Sequence, residues 1–320
     1  MDDIIIFGKN EAEIEAVKKK LKTFHPMTDG GLVEKLLGIR FSWGKSAVQL
    51  DQESYACQIL DEFGMADCKS TSMPISPSVQ LCSEAEGNAR LDQNGHKLFR
   101  RLIGRLIFLV VATRPDIAFA VNQLSQYLAR PNKIHLTAAK HVLRYIKGTI
   151  HYGLTFSAKG RQGLTAYADS AYANSARSRS TTGYAFFLNG TPISWSSKKQ
   201  SITAQSSTEA EYVAVSEAAK QAIWIRHFLY AIGKGMTYCS SPTTLFEDNQ
   251  GAIKIADNPV NHPRTKHIAV RYHAIRDHVN NGEIRLEYLS TERMIADGLT
   301  KATNHVSQQK LVDGLELCQG

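Results

Sequence analysis

Apolar positions recur with two different spacings along this 320-residue chain, and the changes between them mark the predicted elements. Helical spacing predicts one helix over residues 11–24 and a second over 52–63, which ends at Gly64. Between these helices, residues 36–42 and 46–50 have the pattern of two short strands joined by a turn. The first part of the chain therefore predicts a small unit of two helices and a hairpin.

The periodic pattern is lost from residue 70 to residue 97, where Ser, Pro, Gly and Asn accumulate. This composition is typical of loops, and we predict a linker there. A strong helical pattern returns over residues 98–148, in segments that Pro115 and Pro131 separate. This stretch predicts a group of connected helices.

Strand patterns dominate from residue 164 onward. The predicted strands are 164–170, 183–189, 192–197, 243–248 and 283–289. One predicted helix begins at Ser207. Three further helices are predicted over 249–256, 264–279 and 293–301. Asn189-Gly190 is typical of a hairpin turn between the second and third strands. Three hairpin strands followed by strands that alternate with helices predict an α/β (α+β) fold, with a mixed five-stranded sheet and flanking helices.

Composition narrows the class of protein. The chain is 43% hydrophobic, which is enough for packed cores, and its net charge is +8. Spread over the whole chain, this charge favours broad basic surfaces suited to a phosphate backbone, although an ordinary solvated surface would also account for it. The five Cys form no CxxC pair, and no apolar run approaches the roughly 20 residues that span a bilayer. We therefore expect an intracellular protein, cytoplasmic or nuclear, with no membrane partner.

Two acidic side chains are predicted to meet at one edge of the sheet. Asp169 ends the strand over 164–170, and Glu211 lies near the start of the helix that opens at Ser207. Beyond Glu211 the helix carries a small and apolar stripe: Ala214, Val215, Ala218, Ala222, Ile225 and Leu229. Glu209 lies off that stripe, and the helix dipole accounts for an acid there. A carboxylate on the buried side needs a partner or a metal, so we favour Glu211 as a ligand.

A third acidic position is ambiguous by pattern alone. Glu247 and Asp248 are consecutive, so on a strand they face opposite sides, and either could join the first two carboxylates. Hydrolysis of a phosphodiester can use two Mg²⁺ ions held by a few Asp and Glu oxygens. We therefore predict a site for two divalent ions, Mg²⁺ or Mn²⁺.

Basic side chains gather on the predicted helix that begins near residue 264. Arg264, His267 and Arg271 lie on one side of it, and Lys266 adds a further positive charge. A zinc site would need a closed set of four ligands, whereas a basic side suits phosphate groups. These four residues are predicted to contact nucleic acid.

Four motifs occur in one order: Tyr167-Ala-Asp169, Arg179-Ser-Thr-Thr-Gly183-Tyr184, Ile193-Ser-Trp-Ser-Ser-Lys-Lys-Gln200 and Ser206-Ser-Thr-Glu-Ala-Glu211-Tyr212. Together they resemble the RNase H region of copia-type retrotransposon polyproteins. The upstream part is similar to the end of a copia-type reverse transcriptase. The resemblance implies an RNase H-like fold, metal-dependent hydrolysis of the RNA strand of RNA/DNA hybrids, and such a hybrid as the partner.

The resemblance also implies further site residues. Asp248-Asn-Gln250 matches the family's Asp-Asn-Gln and selects Asp248, while Ile295-Ala-Asp-Gly-Leu-Thr-Lys301 matches Ala-Asp-x-x-Thr-Lys and adds Asp297. The implied catalytic and metal-binding set is Asp169, Glu211, Asp248 and Asp297. Gly298 departs from the family pattern, and it costs a helix about 0.5–1 kcal/mol relative to Ala.

The first residues resemble another motif of the family. Asp2 and Asp3 are followed by a β-branched run, as in the Tyr-x-Asp-Asp hairpin of reverse transcriptases. Polymerase chemistry needs carboxylates from more than one strand. We therefore expect Asp2 and Asp3 to be a polymerase remnant, with an upstream reverse-transcriptase portion as a partner.

The expected organisation follows from these patterns. It comprises a truncated reverse-transcriptase palm and thumb at 1–75, a linker at 76–97, a helical thumb or connection at 98–158, an RNase H-like domain at 159–304 and a tail at 305–320. Two alternatives to the hydrolase remain at this level. One is a nucleic-acid-binding remnant without catalysis, and the other is reverse-transcriptase activity that arises only in a longer polyprotein.

Overall fold

A computed structural model describes residues 4–8, 10–79, 81, 90–157, 163–175, 178–257 and 269–319. The helices are α1 (Glu11–Phe24), α2 (Glu53–Glu62), α3 (Gln93–Ala112), α4 (Ala118–Ser125), α5 (Lys133–Gly148), α6 (Ser207–Ala231), α7 (Gly235–Tyr238), α8 (Gln250–Asp257), α9 (Ala269–Asn280) and α10 (His305–Gly314). The strands are β1 (Lys35–Leu36), β2 (Ile39–Trp43), β3 (Ala47–Asp51), β4 (Tyr152–Ser157), β5 (Leu164–Ser175), β6 (Arg179–Leu188), β7 (Thr191–Lys199), β8 (Thr243–Glu247), β9 (Ile284–Tyr288) and β10 (Leu317–Gln319).

The second sheet confirms the predicted mixed arrangement. Its order is β7-β6-β5-β8-β9, in which β5, β6 and β7 run antiparallel and both β8 and β9 run parallel to β5. Helix α6 packs on one face, and its predicted apolar stripe is buried. Leu245 of β8 belongs to the same core, which fixes the start of α6 beside the ends of β5 and β8. The sheet therefore brings the acid-bearing elements to one edge.

The first sheet joins segments that are far apart in sequence. Its order is β1-β2-β3-β4-β10, and all of its pairs are antiparallel. Helices α2 to α5 bury a core beside it that includes Leu102, Leu106, Leu124 and Val142. The three helical segments predicted over 98–148 are thus confirmed as helices, with a 3₁₀ turn at Pro115–Ile117 before α4.

The last residues differ from the predicted tail. Residues 305–320 contain α10 and β10, and Leu317 pairs with Leu154 of β4. Leu311 and Leu315 of this segment are buried against Phe187 of β6. The physical reason is that burial of these apolar side chains in a core shared by the two sheets is favourable. The segment therefore folds against the sheets and does not form a tail.

Two predicted boundaries also differ. The predicted linker at 76–97 overlaps α3, which already begins at Gln93 because the Asp92 side chain accepts a hydrogen bond from the Gly95 N–H (2.8 Å) and caps it. The helix predicted from 293 to 301 is replaced by 3₁₀ turns at Thr291–Arg293 and Ile295–Leu299. Gly298 permits that compact path, because a Cβ there would lie 2.8 Å from Leu311 Cδ2.

A buried ion pair lies where α10 meets the helical group. The Arg114 guanidinium donates to both carboxylate oxygens of Asp116 (2.8 and 2.9 Å) and to the Thr149 carbonyl (2.9 Å). The Gln308 amide of α10 donates to the Asp116 carbonyl (3.1 Å). Both charged side chains are buried, so the fork geometry satisfies groups that water cannot reach.

Candidate active site

Asp169 lies on β5. The segment of the chain that follows β9 packs close to this part of the sheet. Gly183 of β6 is its direct cross-strand neighbour. A Cβ at Gly183 would lie 2.7 Å from Thr300 Cγ2 and 2.9 Å from Leu299 Cβ, so only glycine allows this close approach. As a result the Thr300 hydroxyl donates to Asp169 Oδ2 at 2.5 Å.

The start of α6 supplies the second carboxylate. The Ser206 hydroxyl caps the helix by accepting from the Glu209 N–H (3.2 Å), and Glu209 Oε2 accepts from the Gln205 N–H (2.8 Å). Through this contact Glu209 stabilises the start of the helix, as expected for an acid at that position. Glu211, two residues later, is also buried, but its Oε2 has no hydrogen-bond partner among the described residues.

The third carboxylate follows β8. Asp248 comes directly after the last residue of that strand, and its Oδ2 accepts from the Thr291 hydroxyl (2.6 Å). Asn249 Oδ1 accepts from the Ala252 N–H (3.0 Å), which starts α8 immediately behind the acid. The tight passage from β8 to α8 therefore holds Asp248 at the sheet edge.

The three carboxylates converge. One oxygen from each of Asp169, Glu211 and Asp248 lies within 4.8 Å of the other two. Hard oxygen ligands in a small set are what Mg²⁺ and Mn²⁺ prefer, and Glu211 Oε2 is a buried acceptor that a cation would satisfy. The residues present thus fit a divalent metal centre.

Burial and mutual repulsion perturb the acids strongly. Burial raises the pKa of Asp169 to about 7, with the charges of Asp297 and Asp248 adding to the rise and the Thr300 hydrogen bond opposing it. Burial also raises the pKa of Glu211 to about 10, and the next contributions come from Glu247, Asp169 and Asp248. The cluster therefore resists full ionisation in the absence of a compensating positive charge.

Asp297, the fourth predicted ligand, lies outside the group of three. It sits in the 3₁₀ turn Ile295–Leu299, and its Oδ1 forms an ion pair with Lys301 Nζ. Burial tends to lower the pKa of Lys301, but its hydrogen bond to Asp297 and the nearby charges, which include Asp169, outweigh that effect and raise it. The structure places Asp297 as a neighbour of the cluster, and its role as a ligand stays a prediction.

Glu247, left open beside Asp248 by strand alternation, is a buried neighbour of the cluster. Its side chain is 0% exposed, and burial raises its pKa well above the usual range. Its Oε1 accepts from the Asn249 N–H (3.0 Å). Sequence reasoning left Glu247 as an alternative to Asp248 and did not find a role for Thr291 or Thr300, because the contacts of these residues depend on how distant segments meet.

Other predicted site residues cannot be placed. Asp2, Asp3, Arg264, Lys266 and His267 lie outside the described residues. Arg271 lies on the described backbone of α9, but its side chain is not described. Among the residues that are described, no helix has both the length and the apolar character needed to cross a bilayer.

Comparison with known proteins finds related sequences along most of the chain. The family described as "Reverse transcriptase (RNA-dependent DNA polymerase)" matches residues 1–77. The chain is 35% identical over 311 residues to the retrovirus-related Pol polyprotein from transposon TNT 1-94 of Nicotiana tabacum, covering 94% of this chain and 23% of that protein. It is 30% identical over 224 residues to a putative transposon Ty5-1 protein of Saccharomyces cerevisiae, covering 69% and 71%.

Among solved structures, LC11-RNase H1, isolated from compost, aligns with 44% of this chain and 94% of its own length, at 16% identity and a TM-score of 0.34. The family match over residues 1–77 defines a reverse-transcriptase segment, and the mixed five-stranded sheet follows it along the chain. The chain belongs to the copia-type retrotransposon Pol polyproteins. It spans less than a quarter of the tobacco polyprotein, 23% of its length.

Proposed function

We propose that this chain is a metal-dependent ribonuclease H that hydrolyses the RNA strand of RNA/DNA hybrids, leaving 5′-phosphate and 3′-hydroxyl ends. The observation that carries the proposal is the convergence of Asp169, Glu211 and Asp248 within 4.8 Å at one edge of the mixed sheet. Membership in a retrotransposon Pol family supports a nucleic acid as the substrate.

The protein's own residues prepare the site. Asp169, Glu211 and Asp248 would hold two Mg²⁺ or Mn²⁺ ions, and Asp297 would complete the set from the more exposed side. Two bound ions would supply an activated water and a stabilising charge for the leaving oxygen. Thr300 and Thr291 orient two of the carboxylates through their hydroxyl groups. These contacts fix the ligand oxygens before any ion arrives, which is the role of outer-shell partners in metal sites.

The charge of the chain suits the proposed substrate. A net charge of +8 favours binding to a phosphate backbone. The choice of the RNA strand requires contact with a 2′-hydroxyl, the group that distinguishes RNA from DNA. Arg264, Lys266, His267 and Arg271 are our proposed phosphate contacts, on the basis of sequence.

The experiment compares four substrates with the full chain: an RNA/DNA hybrid, double-stranded RNA, single-stranded RNA and double-stranded DNA. Each is labelled on one strand and incubated with Mg²⁺, Mn²⁺ or a chelator, with Asp169→Asn as the inactive control. We expect cleavage of the RNA strand of the hybrid in the presence of metal only. Folded protein that binds the hybrid without cutting it at any metal concentration would instead support a binding remnant.

A further inference from the structure

Glu247 is a buried acid that the set of three ligands does not include. Thr243, Leu245 and Glu247 alternate on the buried face of β8, and Leu245 packs in the core beneath α6. Glu247 is 0% exposed, and its Oε2 has no hydrogen-bond partner among the described residues. An unpaired carboxylate in such a place is costly for a fold, so a purely structural role does not explain it.

The other oxygen of Glu247 acts on the turn that carries Asp248. Glu247 Oε1 accepts from the Asn249 N–H at 3.0 Å, and this closes the backbone around Asp248. Asn249 in turn caps α8 through the Ala252 N–H. The Glu247 side chain thus holds Asp248 between the end of a strand and the start of a helix.

The free oxygen of Glu247 is buried on the residue directly before the ligand Asp248. Glu211 Oε2, on another ligand, is likewise buried and without a partner among the described residues. Two buried carboxylate oxygens without partners, one on a ligand and one beside a ligand, point to a cation that compensates both.

We propose that Glu247 is a positioning residue of the metal centre, which orients Asp248 through its backbone contact and raises cation affinity by placing a further buried carboxylate beside Asp248. This inference rests on the proposed metal-dependent function. Glu247 does not contact the reacting atoms and is not a ligand of the group of three. Its effect is therefore expected in the binding of the ion more than in the identity of the products.

The test uses the full chain and measures Mn²⁺ binding by titration calorimetry, together with thermal unfolding in chelator. Glu247→Gln keeps an oxygen that can accept from the Asn249 N–H but removes the charge. Glu247→Met removes charge and polarity at similar length, in case the Gln amide is itself left without a partner. Glu287→Gln on β9 is the matched control, because Glu287 pairs with Arg285 on an exposed part of the same sheet.

We expect both Glu247 variants to bind Mn²⁺ about 10-fold more weakly than the unmodified chain, a loss typical of outer-shell partners. In chelator, we expect both to unfold about 2–4 °C higher, because the cost of burying a carboxyl oxygen without a partner is removed. Glu287→Gln should change neither value. Unchanged Mn²⁺ affinity in both variants, or a lower unfolding temperature in both, would overturn the role of Glu247 while leaving the proposed function intact. An unmodified chain that binds no Mn²⁺ would overturn the proposed function itself.

Discussion

Gly183 faces Asp169 across the β5–β6 pair, and the missing side chain at Gly183 is what allows Thr300 to reach the Asp169 carboxylate. The three residues come from two strands and from the segment after β9. A buried acid on one strand is therefore oriented by a hydroxyl that is 131 residues away in sequence. This relationship makes the site sensitive to changes at positions that carry no charge.

Gly183→Ala should disturb the site through packing. The new methyl group would lie 2.7 Å from Thr300 Cγ2 and 3.0 Å from the Ala296 carbonyl oxygen, so the turn behind Asp169 must shift. We expect a loss of about 1–3 kcal/mol in the free energy of unfolding, as for other overpacked sites, and a lower cleavage rate. The measurements are urea denaturation and hybrid cleavage. Gly104→Ala in α3, where a Cβ meets nothing within 4 Å, is the control and should stabilise the chain slightly. Equal stability of Gly183→Ala and the unmodified chain would contradict the close approach.

Thr300→Val tests the effect of the hydroxyl group separately from that of the side-chain shape. The variant keeps the branched form but loses the donor to Asp169 Oδ2 and to the Asp297 carbonyl (2.9 Å). Because Thr300 is fully buried, we expect a loss of about 1–3 kcal/mol in stability and weaker metal binding. Thr300→Ser keeps the hydroxyl and should retain most metal affinity. Identical Mn²⁺ titrations for the Val and Ser variants would show that the hydroxyl does not orient Asp169.

Stability without metal should fall as the pH rises. The pKa of Asp169 is raised to about 7 and that of Glu211 to about 10, so the folded chain binds more protons than the unfolded chain above roughly pH 4. Each group then lowers the free energy of unfolding by up to about 1.4 kcal/mol per pH unit, until about pH 7 for Asp169 and about pH 10 for Glu211. Bound Mg²⁺ would compensate the negative charges of these carboxylates, so the free energy of unfolding should then fall less steeply with pH.

Urea denaturation between pH 6 and pH 9 measures how the free energy of unfolding changes with pH, once in chelator and once in excess Mg²⁺. The expected result is a steeper decline in chelator. A metal-free stability that is constant or increasing over this range would mean that the acids are not buried together in solution.

Arg114→Met should destabilise the chain through a buried ion pair that is not part of the group of three acids. Arg114 and Asp116 form a buried, bidentate ion pair, and removal of the cation leaves Asp116 without compensation. We expect a loss of about 3–5 kcal/mol in the free energy of unfolding. Combining Arg114→Met with Asp116→Leu removes both charges and should recover much of that loss. A single variant as stable as the unmodified chain would contradict the burial of this ion pair.

The local sequence pattern was sufficient to predict the elements in which hydrophobic residues recur at a regular spacing. The buried stripe of α6 and the five strands of the mixed sheet agree with the sequence because each of these elements has a regular repeated spacing. The pairing of β10 with β4 could not be anticipated, since three residues carry too little pattern and the partner lies more than 150 residues earlier, as in Leu317 with Leu154.

The candidate site was predictable in part for the same reason. Helical periodicity separates Glu211 from Glu209, and the structure shows Glu211 in the cluster and Glu209 bonded to the Gln205 N–H. Strand alternation shows that Glu247 and Asp248 face opposite sides, but the face that meets the other acids depends on tertiary packing. The 3₁₀ turn that holds Asp297 packs so closely on Leu311 that a Cβ at Gly298 would lie 2.8 Å from Leu311 Cδ2, and no local period relates these two residues.

The most direct test of the account is hybrid cleavage by Glu211→Gln and Glu209→Gln across a Mg²⁺ titration, with thermal unfolding in chelator as the folding control. Glu211 Oε2 has no partner among the described residues and lies in the group of three, whereas Glu209 has a backbone partner that Gln can retain. We predict that Glu211→Gln loses RNA-strand cleavage while staying folded, and that Glu209→Gln retains most of it. Normal cleavage by Glu211→Gln would contradict the assignment of this carboxylate cluster as the active site.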